Sequence, residues 1–172
     1  MNRFKYFFIY LIGLLAGLGI SCNNKTSNQE EPIKIARTIA DDLLDTANYY
    51  IDSLQYDTAI RLLDSALTLE SSIKTKAECY AAIGYSSFMR EEYPKAIENY
   101  LEAIGRFQQL NDTIRVAQMW MNTATSYKII GNFDKAVKNA FFSLKILSKD
   151  SIYRKQVAII YNLLGNIEKE LG

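Results

Sequence analysis

Histidine is absent from all 172 residues. That excludes Ser-His-Asp and Cys-His catalysis, and every histidine-containing metal site. Proline occurs twice and glycine eight times. Those are small numbers for a loop-rich β protein, so long uninterrupted helices are expected. The two cysteines are Cys22 and Cys79, which allows one disulfide at most. No long basic run occurs, so nothing argues for a nucleic-acid partner. What is present is ordinary for a globular domain, with 49% hydrophobic and 23% charged residues. A chain of this length buries a real core as one domain. It carries no phosphate loop, nucleophile elbow or paired metal motif. The expectation is a non-enzyme with no cofactor and no metal.

Residues 1–22 read as an export signal. Arg3 and Lys5 give a positive start, and every residue from Tyr6 to Ile20 is apolar, aromatic or glycine. That run of 15 residues is short against the roughly 20 a spanning helix needs. Removing Arg3 and Lys5 leaves 18 of the 20 basic residues against 19 acidic ones, so the body is near neutral. The run ends in Leu18-Gly19-Ile20-Ser21-Cys22. A small residue before a cysteine in this setting resembles the lipobox of bacterial lipoproteins. The resemblance implies cleavage before Cys22, lipid attachment at Cys22 and a membrane partner through that lipid. The lipobox leucine three places before the cysteine is replaced by Gly19. An uncleaved anchor, or a plain signal with an incidental cysteine, is the alternative. Residues 23–36 begin NNKTSNQEEP and read as a polar tether. Asn23 is not the aspartate that marks inner-membrane retention in enteric bacteria, so that analogy points to the outer membrane.

Residues 37–172 repeat internally. Tyr56-Asp57-Thr58-Ala59-Ile60, Tyr93-Pro94-Lys95-Ala96-Ile97 and Phe133-Asp134-Lys135-Ala136-Val137 align. Small-apolar pairs follow at Ala66-Leu67, Ala103-Ile104 and Ser143-Leu144, and small residues precede at Ala47, Gly84 and Ala124. A fourth half-unit, Ala158, Tyr161, Leu164 and Gly165, matches Ala77, Tyr80, Ile83 and Gly84. This pattern resembles the tetratricopeptide repeat (TPR) family, most fully in Tyr80, Ile83, Gly84, Tyr93, Ala96, Tyr100 and Ala103. Two departures are the unit length, 37 and 40 residues between the alanines, and the missing proline late in each unit. The resemblance implies an all-α fold, an α-solenoid of antiparallel helix pairs with about three TPR units plus a seventh helix.

Small residues let paired helices approach while large ones fill the space beside them. Asp112-Thr113, Asp150-Ser151 and Ser72-Ile73 place an N-cap before an apolar run. Seven helices are predicted, over 37–53, 56–70, 73–90, 93–109, 113–130, 133–148 and 151–171. The seventh has few polar positions, where a terminal cap should be polar outside.

In TPR proteins a concave groove is lined by fixed places of each first helix. Carried over, these are Asp41, Leu44, Asn48, Ile51 and Asp52; then Glu78, Ala81, Tyr85, Phe88 and Met89; then Gln118, Met121, Thr125, Lys128 and Ile129. Such a mixture suits a helical or extended peptide; the alternative is that Phe88 and Met89 pack between repeats. The cations with which some members clamp a C-terminal carboxylate are missing, since Leu44, Ala81, Met121, Asp45, Ala82 and Asn122 occupy those places. Asp41, Asp42 and Asp45 read as a solvated acidic helix face. Cys79 reads as an inert, semi-buried thiol. Two functions are carried forward. One is a non-catalytic scaffold for a protein or peptide, tethered to the bacterial cell envelope. The other is the sensory front part of a larger signalling protein.

Overall fold

In a computed structural model, residues 27–69 and 71–172 are described. Among them the chain forms seven α-helices and no strand. The helices are α1 (Ser27–Asp52), α2 (Tyr56–Leu67), α3 (Ile73–Met89), α4 (Tyr93–Gln109), α5 (Thr113–Ile129), α6 (Phe133–Leu147) and α7 (Arg154–Leu171). A 3-10 turn over Ser151–Tyr153 leads into α7. The fold is an α-solenoid of helical hairpins. The expected export signal, residues 1–22 with Cys22, lies outside the described residues.

Side-chain caps set two helix starts where the sequence placed them, and a third caps the 3-10 turn before α7, which itself begins three residues later than expected. Ser72 Oγ accepts from the Thr75 amide at 3.0 Å, Asp112 Oδ1 from the Arg115 amide at 3.1 Å, and Asp150 Oδ1 from the Ile152 amide at 2.9 Å. Each fills one of the amides a helix start leaves open. The first helix departs from expectation. It begins at Ser27 and runs through Pro32, so residues 27–36, read as tether, are helical. Gln29, Glu30, Glu31, Lys34 and Arg37 favour helix intrinsically. They offer little apolar periodicity because Ile33, Ile35 and Ile39 all stay exposed.

Four chain reversals share one geometry. Leu54, Glu91, Asn111 and Gly131 take positive φ, at 59°, 63°, 56° and 75°. In each, the following amide bonds back to the carbonyl five residues earlier: Gln55 to Tyr50, Glu92 to Ser87, Asp112 to Phe107, Asn132 to Tyr127. This is the Schellman closure of a helix end. Only the last reversal uses glycine; a leucine there carries about 1–2 kcal/mol of left-handed strain. Leu54 is exposed, so its side chain contributes little packing. Leu54→Gly is expected to stabilise the domain by about 0.5–1 kcal/mol, read as a higher urea midpoint. An unchanged or lower midpoint would show that the strain is not felt.

From α2 onward consecutive helices pack on one another, α5 also touches α7, and α1 shares a core with α2 and α3. One core joins Leu44, Ala47, Ala59, Leu63, Cys79 and Ile83. A second joins Ala77, Ala103, Ile104, Phe107 and Val116. A third joins Ala124, Ala136, Ala140, Leu147, Ile160, Leu163 and Ile167. The alanines of the repeat are fully buried, which is what lets the helix pairs close. α3 is covered on two sides: Cys79 packs with α1 and α2, while Ala77 and Gly84 lie against α4, and all three are buried. α7 keeps that register but is covered on one side. Ile160 and Ile167 are buried, while Ala158, Tyr161 and Gly165 are exposed.

Candidate functional site: the groove of the first helices

α1, α3 and α5 are the first helices of the three pairs. Leu44, Asn48 and Ile51 of α1 face Glu78, Ala81, Ala82 and Tyr85 of α3, and Arg115, Gln118 and Met119 of α5 close the far side. Phe107 of α4 forms part of the floor. Together they line an open groove of about 440 Å³. It holds seven of the sequence-predicted residues: Leu44, Asn48, Ile51, Glu78, Ala81, Tyr85 and Gln118. Asp41 borders an adjoining hollow of about 220 Å³ with Asp45, Ser72, Lys74 and Thr75. Its Oδ1 accepts a hydrogen bond from Thr75 Oγ1 at 2.7 Å, tying the first pair to the second.

Seven other predicted residues, Asp52, Phe88, Met89, Met121, Thr125, Lys128 and Ile129, are not gathered into this groove. Phe88 sits edge-to-face on Tyr93, ring centroids 5.5 Å apart, inside its own hairpin. Met89 is exposed at the end of α3. Met121 packs against the third core, and Thr125 donates its hydroxyl hydrogen to the Met121 carbonyl at 3.0 Å. Lys128 pairs with Glu170 of α7 at 2.6 Å. Helix α7 thus occupies the end of the stack where the repeat pattern left open surface.

The groove's charge is committed internally. Arg115 pairs with Glu78 across it and with Asp112 at 3.3 Å. Its guanidinium also lies 5.2 Å from the centre of the Phe107 ring. Between two carboxylates and an aromatic face, the arginine acts as a strut from α5 to α3. Asn48 and Gln118 are left with amide groups that no protein group engages among the described residues. Arg115, Met119, Phe107 and Ala82 were not picked from the sequence. Arg115 lies one helical turn before Gln118, on the same face, and that spacing was the available signal.

Cys79 is buried beside the groove. Burial pushes its thiol up to about 12, and the nearby Glu78 and Asp41 charges add to this. A thiolate is the reactive form, so folded Cys79 is expected to resist iodoacetamide at pH 8, read by peptide mapping. Because the folded value is raised, the stability this group contributes is full below the unfolded thiol's pKa near 8.5 and is lost as pH rises towards about 12. Labelling as fast in the native protein as in urea would refute the buried placement. Among the described residues no three acidic or cysteine side chains come together as a metal site. A second cleft of about 350 Å³ lies between α3 and α4. There Arg106 pairs with Glu102 and covers the Tyr80 ring at 4.2 Å, so its charge too is already engaged.

No known family profile matches the chain, and no curated protein is significantly similar in sequence. Solved structures are similar in fold. The type III secretion translocator chaperone SycD of Yersinia enterocolitica superposes with a TM-score of 0.66 at 14% identity, covering 79% of this chain and 96% of that one. PcrH, solved in complex with the chaperone-binding region of PopB, gives 0.60 at 11% identity over 72% and 93%. The TPR2AB domain of yeast Sti1, in complex with pHSP90, gives 0.60 at 18% identity over 78% and 50%. The fold is TPR-like.

Proposed function

We propose that this chain is a non-catalytic scaffold that holds a protein or peptide segment in the α1–α3–α5 groove. The observation that carries the reading is the composition of that groove. Leu44, Ile51, Ala81, Tyr85 and Met119 offer apolar surface, Asn48 and Gln118 offer amides, and the charged pair is already neutralised. Such a lining takes apolar side chains from a segment while its amides meet the segment's backbone. The likeness to PcrH and Sti1, both solved with a bound protein segment, supports the same use of the fold. The lipobox-like Leu18–Cys22 run supports export, attachment of a lipid at Cys22 and residence in the cell envelope, and Asn23 in place of a retention aspartate supports the outer membrane.

A photo-crosslinking residue placed at Gln118 tests the groove, with one at exposed Glu98 as the control. The Gln118 position is expected to capture a protein from envelopes that the Glu98 position does not, and Tyr85→Ala should lower the yield about tenfold. Identical adducts from both positions would sink the groove reading. For the anchor, Cys22→Ser is expected to abolish palmitate labelling; retained labelling would show that Cys22 is not the attachment point.

A further inference from the structure

Charge is unevenly distributed along the repeat domain. Residues 27–112 hold 15 acidic and 8 basic residues, whereas 113–172 hold 4 acidic and 9 basic. Much of the excess cation lies along one stripe of α6 and the turn after it: Lys135, Lys138, Lys145 and Lys149 are all exposed. None of the four forms an ion pair among the described residues. Asp134 is the one carboxylate of the helix. Phe141 and Phe142 stand between the lysines, and they remain 55% and 41% exposed. At 100° per residue, residues 135, 138, 142, 145 and 149 follow one face, with 141 on its edge.

We infer that this α6 face docks on an anionic lipid bilayer surface, a role separate from the groove. Unpaired lysines attract the negative potential of such a surface, and the attraction grows with their number. Exposed phenylalanines flanked by lysines enter the headgroup boundary while the ammonium groups stay among the phosphates. The stripe runs along the outside of a helix, and neither phenylalanine lines the grooves described above, which suits an extended surface better than an enclosed peptide. No described helix is long and apolar enough to cross a membrane, so contact would lie in the plane of the surface.

The chain has a single tryptophan, and Trp120 lies 5.2 Å from Phe142 between ring centroids. It is therefore a local reporter in the full chain. The probe is vesicles of brominated phosphatidylglycerol, compared with brominated phosphatidylcholine. Trp120 emission is expected to be quenched on the anionic vesicles and to recover at about 0.5 M salt. Lys138→Glu with Lys145→Glu should weaken the quenching titration at least about tenfold, with the helical circular dichroism unchanged. Phe141→Ser, at an exposed position, should also weaken it. The apolar run Tyr6–Ile20 would carry the chain to vesicles of either charge, so sedimentation alone does not count. Equal quenching on neutral vesicles, or quenching that survives charge reversal, would overturn the inference. So would a Trp120 response to poly-glutamate but not to vesicles, which would assign the face to an acidic protein.

Discussion

Gly84→Leu is expected to destabilise the repeat domain by about 3 kcal/mol or more. A Cβ built on Gly84 would stand 2.6 Å from Cδ1 and 2.7 Å from Cε1 of Tyr100. The ring is only 1% exposed and is held in the interior, so it has no free space to retreat into. Glycine inside a helix costs about 1 kcal/mol relative to alanine. Here that cost is the condition for α4 lying on α3. Gly165 occupies the same register in α7 and has nothing within 4 Å of its missing Cβ. Gly165→Ala should therefore stabilise by up to about 1 kcal/mol. Opposite signs at the two glycines, read from denaturant midpoints, are the check. Pairing Gly84→Ala with Tyr100→Leu should recover part of the loss, because the two side chains share one space. If Gly84→Leu unfolds at the wild-type midpoint, the close approach is not real.

The same contact shows which features the sequence carried openly. Aromatic-alanine spacing, caps and chain reversals act over a few residues, so α2 to α6 could be placed within three residues of their ends. The start of α1 was hidden, because residues 27–36 fold as helix without burying a face. The groove was half legible. Leu44, Asn48, Glu78, Tyr85 and Gln118 follow from the groove places that the TPR resemblance implies, since each sits on a first helix facing the same side. Met121, Thr125 and Lys128 share that register but lie at the end where α7 returns. The Lys128–Glu170 pair joins residues 42 apart in sequence, and no local pattern announces it. Arg115 was missed for a related reason. Its importance comes from Glu78 on another repeat, and partners across repeats are invisible to spacing within one.

Phe107→Ala links the stability of the stack to the shape of its groove. Phe107 is 1% exposed and sits among Ala77, Ala103, Ile104 and Val116, where α3, α4 and α5 meet. Removing its ring leaves a cavity that fixed helices cannot collapse, a loss of about 3–5 kcal/mol. Phe107→Leu retains much of the volume and should lose less than half of that. The ring also supports the Arg115 guanidinium and forms part of the groove floor. Where Phe107→Leu still folds, Arg115 loses its aromatic backing while keeping Glu78 and Asp112. Capture at Gln118 should then fall several-fold, although no residue on the groove's walls has changed. Arg115→Lys makes the complementary comparison: it keeps the charge, gives up the planar fork that bridges two carboxylates, and should weaken capture with little change in the denaturation midpoint. If Phe107→Leu lowers stability but leaves capture intact, the floor and the strut are independent. Arg115 would then be held in place by its carboxylates alone.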